Sequence, residues 1–259
     1  MIDKCSISHF APLVNRFRAK KRANAPVKDS FCARSAWSAY TEPEVMDMHE
    51  AERYFQRCLN AAYTTEANGA DWAVERDGDE LLILFEHSRG LSDWMNNLNF
   101  HAVPYREMHP IWQCHAGFLS VWQAAKPAVA RAVQPFLSLP PGKGPVSRVT
   151  IVGYSHGAAL AVLCHEWVWY HYPLWRAVLN GFGFGGPRVL YGCPTPTIAA
   201  RWSQFRLIRN NDDPVTHLPP RALGYCHAGN LLRIGDGSTS GIDSHRPESY
   251  LASLRAKNL

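Results

Sequence analysis

The stretch Val149-Thr150-Ile151-Val152-Gly153-Tyr154-Ser155-His156-Gly157-Ala158-Ala159-Leu160 sets a serine between two glycines. A β-branched run precedes it and a small, apolar, helix-forming run follows. That order predicts a strand, a turn tight enough to need Gly153 and Gly157, and a helix. Ser155 is then held in a strained conformation with its hydroxyl at the top of a sheet, as a nucleophile elbow requires. A serine hydroxyl is a poor nucleophile at neutral pH. It needs a base within hydrogen-bond reach and an acid that holds the base in the right tautomer.

In elbow-type hydrolases the acid and then the base follow the serine along the chain, on loops after later strands. Phe205-Arg206-Leu207-Ile208-Arg209 reads as such a strand, and the loop after it carries Asp212 and Asp213. The chain has 12 histidines, and His115, His165 and His171 precede the acid and break the order. His217 lies only a few residues past Asp213, as a loop residue would. His227 sits between two apolar segments and is the competitor. His245 follows the last strand on the polar loop Gly241-Ile242-Asp243-Ser244-His245 and is the preferred base. The tetrahedral oxyanion of such a reaction needs two backbone N–H donors. His156, next after the serine, supplies one, and the segment Glu86-His87-Ser88 at the end of an earlier strand is the candidate for the other.

These residues need a scaffold that brings strand ends together. Val45, Met48, Ala51, Tyr54, Phe55, Cys58 and Leu59 recur at helical spacing and predict a helix over 42–64. Residues 71–87 read as a β-hairpin turning at Asp77-Gly78, and its unbroken second strand Leu81–Phe85 as buried. Helices are predicted over 117–137 and 158–171, strands over 177–183, 205–209 and 231–234, and a helix after His245. Strands alternating with helices predict an α/β architecture, with a mostly parallel central sheet and helices on both faces. No repeat or linker divides the chain, so 1–40 reads as a basic N-terminal arm and 41–259 as a single domain.

With 259 residues, 46% hydrophobic and 19% charged, the chain can bury a substantial core. A net charge of +5 is too small to argue for nucleic acid, but it is compatible with an anionic membrane surface. Seven cysteines without a C-x-x-C pair read as reduced thiols. Together with the absence of a Sec-type leader at Met1-Ile2-Asp3-Lys4-Cys5 and of any apolar run of spanning length, this gives a cytoplasmic expectation, with export by another route left open. No metal-ligand spacing is present.

Taken in order, the motifs resemble the class 3 lipases, the fungal-lipase-like branch of the α/β-hydrolases. Leu84-Phe85-Glu86-His87-Ser88 with Asp93-Trp94 and Leu98 is similar to the family's Phe-Arg-Gly-Thr/Ser segment and its Asp-Trp-x-x-x-Leu tail. Cys114-His115-Ala116-Gly117-Phe118 is similar to Val-His-x-Gly-Phe, and Phe184-Gly185-Gly186-Pro187-Arg188-Val189 to Phe-Gly-x-Pro-Arg-Val. Gly153–Ala161 resembles the family's elbow, and Asn210–Pro219 its acid loop. The resemblance implies an α/β-hydrolase fold with a short lid segment, Ser155 as nucleophile, Asp213 rather than Asp212 as acid and His245 as base. It also implies Ser88 and His156 as the oxyanion hole. Glu86-His87 in place of Arg-Gly and His156 in place of an apolar residue bear on substrate preference.

In such lipases the segment after the oxyanion residue is an amphipathic lid. Here it would cover about 91–100, with Leu91, Trp94, Met95, Leu98 and Phe100 on one side, and an ordinary amphipathic helix fixed on the core is the other reading. Trp167, Trp169, Tyr170, Tyr172 and Trp175 read as core, although an interfacial belt is the other reading. The activity expected is a serine ester hydrolase, a lipase or carboxylesterase cleaving lipid or other acyl esters with no cofactor and no metal. Its partners are the acyl ester or lipid substrate and a transient membrane or lipid-interface contact, without nucleic acid. A phospholipase or acyltransferase on the same scaffold is the alternative, and a non-catalytic lipid-binding module a lesser one.

Overall fold

The computed structural model describes residues 47–66, 69–86 and 100–257. The basic arm at 1–40, Ser88 and all of the expected lid except Phe100 lie outside these residues. In chain order the elements are α1 (Met48–Asn60), β1 (Thr64–Thr65), β2 (Asp71–Asp77), β3 (Glu80–Phe85), β4 (Ala102–Tyr105), β5 (Trp112–His115) and α2 (Ala116–Leu137). There follow β6 (Arg148–Tyr154), α3 (His156–His171), β7 (Leu179–Phe184), β8 (Leu190–Tyr191), α4 (Pro196–Ala199), β9 (Phe205–Asn210), β10 (Tyr225–Cys226), β11 (Asn230–Ile234) and α5 (Pro247–Lys257).

The main sheet runs β1-β2-β3-β6-β7-β9-β11. The β2–β3 hairpin is antiparallel, with Trp72 opposite Phe85 and Asp77 opposite Glu80. From β3 onward every pairing is parallel. The loops after β6, β7, β9 and β11 therefore leave one edge of the sheet together, which is where open α/β sheets place their sites.

All of β3 is buried, as its unbroken apolar run predicts. Side chains alternate across the sheet. Leu81, Ile83 and Phe85 join Val149, Ile151, Trp122 and Leu160 in a core shared with α2 and α3. Leu82 and Leu84 join Val152, Phe184, Tyr54, Phe55 and Tyr250 beneath α1 and α5. Residues His156 to Val168 of α3 are all buried. Trp167 and Trp175 are buried and Trp169, Tyr170 and Tyr172 pack against the same core, so this aromatic group is core and not an interfacial belt. Among the described residues no helix is long and apolar enough to cross a membrane.

The structure departs from the sequence expectation in three places. The helix expected to run to residue 64 ends at Asn60, and Thr64–Thr65 pair with β2 as an edge strand. Residues Pro173–Val178 form a 3-10 segment that opens on proline, so β7 starts at Leu179 and not at 177. A second, four-stranded antiparallel sheet, β10-β8-β5-β4, was not foreseen. Its strands are two to four residues long, too short to show an alternating pattern.

Candidate active site

β6 delivers the chain into the turn at Ser155, whose backbone sits at φ 57° and ψ −121°. A non-glycine residue held there carries on the order of 1–3 kcal/mol of strain. The neighbouring glycines explain how the turn is held. A Cβ on Gly153 would lie 2.3 Å from the carbonyl oxygen of Gly157, and one on Gly157 2.3 Å from that of Phe85. The elbow is thus packed against the end of β3 as well as against itself. The Ser155 N–H donates to the Phe184 carbonyl at 2.8 Å, tying the turn to β7.

Three loops and the last helix converge on this serine. His245 Nε2 lies 2.9 Å from Ser155 Oγ, and His245 Nδ1 lies 2.8 Å from Asp213 Oδ2. All three residues are buried. Asp213 caps the 3-10 turn Pro214–His217, its Oδ1 accepting from the Val215 N–H at 2.9 Å. The Tyr250 hydroxyl, carried by α5, donates to Asp213 Oδ2 at 2.6 Å and accepts from the Asn210 N–H at 3.1 Å. The carboxylate is held on both oxygens, in line with the imidazole. Tyr154 fixes the imidazole from the other side. Its ring stacks on His245 at 5.2 Å between centroids, and its hydroxyl donates to the His245 carbonyl. Gly185, at φ +61°, lies so close that a Cβ there would come within 2.9 Å of both Asp213 Oδ2 and the His245 ring.

The structure therefore brings together Ser155, Asp213 and His245, and leaves the other candidates elsewhere. Asp212 is exposed and pairs with His217 at 3.1 Å. His227 Nε2 is engaged with the Thr216 carbonyl at 2.9 Å, and burial pushes its imidazole well below the ordinary histidine value. The His156 N–H opens α3, at the positive end of a helix next to Ser155. Its imidazole is buried and held down to about 4 by burial and by neighbouring His115. Sequence reasoning missed the roles of Tyr154 and Tyr250. The signal for Tyr250 is its place one turn into the helix that follows His245. Among the described residues no group of His, Cys, Asp and Glu is arranged to hold a metal ion.

A parallel sheet with an elbow serine, an acid after a later strand and a histidine after the last one defines the α/β-hydrolase class. The sequence profile described as lipase (class 3) matches residues 82–223, more than half of the chain, and the chain belongs to that family. It is 30% identical over 160 residues to a lipase of Rhizomucor miehei, spanning 61% of this chain and 42% of that protein. A secreted mono- and diacylglycerol lipase of Fusarium solani is 25% identical over 166 residues, spanning 61% of this chain and 45% of that protein. The solved structure of Rhizomucor miehei triacylglyceride lipase superposes with a TM-score of 0.59 at 26% identity, over 68% of this chain and 66% of that one. The chain thus spans less than half the length of these two curated relatives.

The cytoplasmic expectation is overturned. The Fusarium relative is named as secreted, and Cys193 is disulfide-bonded, whereas Cys58, Cys114, Cys164 and Cys226 are free. An irregular cysteine spacing does not exclude a single bridge, and structural disulfides persist in oxidising compartments.

Proposed function

We propose that the protein is a serine ester hydrolase acting on lipid or other acyl esters. The observation that carries this reading is the unbroken line of two hydrogen bonds, 2.9 and 2.8 Å, from Ser155 through His245 to Asp213. His245 takes the Ser155 proton as the serine oxygen attacks the ester carbonyl. Asp213 holds the imidazole in the tautomer that leaves Nε2 free to accept, and stabilises the imidazolium that forms. The His156 N–H, together with Ser88, stabilises the oxyanion. His245 then returns the proton to the departing alcohol and activates the water that releases the acid. The relatives' names support lipid esters as substrates, and a site outside the cytoplasm.

The test is hydrolysis of p-nitrophenyl esters from acetate to palmitate, wild type beside Ser155→Ala, with and without a lipid interface. Turnover lost in the mutant and strongest on long chains supports a lipase. Turnover confined to short chains supports a soluble esterase. Equal rates for both proteins would overturn the assignment of Ser155.

A further inference from the structure

The loop that carries His245 has little of its own to hold it. From Gly235 to Asp243 none of its residues is buried, so no apolar anchor fixes it before Ser244 and His245. A base borne on such a loop needs another restraint, because a misplacement of about 1 Å can cost about 100-fold in rate. Here the restraint is polar and comes from the end of β9.

Asn210 closes that strand and is 0% exposed. Its Nδ2 donates to the Ser244 carbonyl at 3.0 Å and to Ser249 Oγ at 2.8 Å. Its Oδ1 accepts from Ser253 Oγ at 2.7 Å. Its backbone is engaged as well: the N–H donates to Tyr250 Oη at 3.1 Å, and the carbonyl accepts the Asp213 N–H at 3.0 Å. The Ser244 carbonyl belongs to the peptide unit that precedes His245, and the Tyr154 hydroxyl holds the carbonyl that follows. The backbone of His245 is therefore clamped on both sides, from β9 and from β6. Since the Asp213 N–H bonds to the same asparagine, acid and base are held by one residue. Packing alone does not ask for an amide here. An apolar side chain of similar size would fill the space against α5 without the cost of burying a carboxamide.

We propose that Asn210 is a positioning residue for the reaction: through the Ser244 carbonyl its side chain sets where His245 stands relative to Ser155. It touches neither the substrate nor the reacting atoms. This rests on the reading of Ser155, His245 and Asp213 as nucleophile, base and acid.

The experiment measures kcat and KM on p-nitrophenyl butyrate, and urea midpoints, for wild type, Asn210→Leu, Asn210→Ala, Thr150→Val and Ser155→Ala. Asn210→Leu keeps the volume and removes every side-chain hydrogen bond. Asn210→Ala leaves room for water at the Ser244 carbonyl and serves where the leucine variant does not fold. Thr150→Val is the control for lowered stability alone, since the Thr150 hydroxyl donates to Glu80 at 2.6 Å toward the far end of β6. In the folded Asn210 variant kcat is expected to fall by about tenfold or more, with KM within about twofold of wild type. Thr150→Val is expected to lower the urea midpoint and keep the wild-type kcat. A kcat within about threefold of wild type in the Asn210 variant, or a loss carried by KM, would overturn the positioning role. An equal fall of kcat in Thr150→Val would overturn it too, because general loosening would then explain both. Turnover by wild type no higher than by Ser155→Ala would instead overturn the nucleophile reading, and the positioning role with it.

Discussion

At the residue scale the site is a set of side chains held under constraint. Ser155 occupies a positive-φ backbone position that glycine would hold without strain. Ser155→Gly is therefore expected to abolish ester hydrolysis and to raise stability by about 1 kcal/mol. Rates on p-nitrophenyl esters and urea denaturation read the two effects, and a destabilised Ser155→Gly would contradict the strain argument. Tyr250 is the other informative position, since its hydroxyl donates to Asp213 and accepts from Asn210. Tyr250→Phe removes the donor and leaves a buried N–H unpaired. A loss of about 1–3 kcal/mol in stability is expected, with roughly a tenfold fall in kcat at little change in KM. A fall in stability alone would reduce Tyr250 to a packing residue.

At the element scale a buried carboxylate on the elbow helix holds the 3-10 turn Ala200–Trp202 through an ion pair and the small sheet through a hydrogen bond. Glu166 of α3 accepts from Arg201 and from the Trp112 indole of β5, the latter at 2.6 Å. Arg201→Met strips the cation from a buried carboxylate and is expected to cost about 3–5 kcal/mol, whereas Arg201→Met with Glu166→Leu should cost less than the single change. Urea denaturation of the three proteins decides it, and a single mutant within about 1 kcal/mol of wild type would count against the pair. This clamp was invisible in the sequence, because Trp112, Glu166 and Arg201 sit on a short strand, a helix and a 3-10 turn that are far apart in the chain. The main sheet was legible for the opposite reason. Long β-branched and apolar runs at 81–85 and 149–152 can be little other than buried strands, and the loops after parallel strands gather at one edge whatever the details. That is why the order serine, aspartate, histidine could be read before any distance was known. Tyr154 and Tyr250 were not legible as clamps, since a core tyrosine and a positioning tyrosine look alike until the hydroxyl has a partner.

For the whole molecule, acid is the expected weakness. Burial pushes His115 and His156 down to about 4, His165 down to about 3, and His227 well below its ordinary value. Unfolded, each takes a proton at about 6.5. Their contribution to stability is thus present above about pH 6.5 and lost as pH falls toward about 4. Glu166, pushed up to about 7 by burial, works the other way: its contribution is present below about 4.3 and lost as pH rises through about 7. The histidines outnumber the carboxyl, so unfolding takes up protons on balance over this range. Unfolding free energies from urea titrations should fall as pH is lowered from 7 to 4, and a flat profile would show that the imidazoles are not held neutral.

The order of the chain through its last loop has a practical consequence. Every strand of both sheets is complete by Ile234, and the residues that follow, 236–238, are exposed. Beyond them lie His245 and α5, docked through buried Tyr250 and Leu254 and through the Arg255–Glu52 pair at 2.7 Å. A single protease nick at 236–238 would divide the molecule into a nearly intact scaffold and a short peptide bearing His245. The nicked pair should keep working while the pieces stay together and fall silent when the peptide is washed away. Activity should return when the same peptide is supplied from outside, which makes the C-terminal segment a detachable switch.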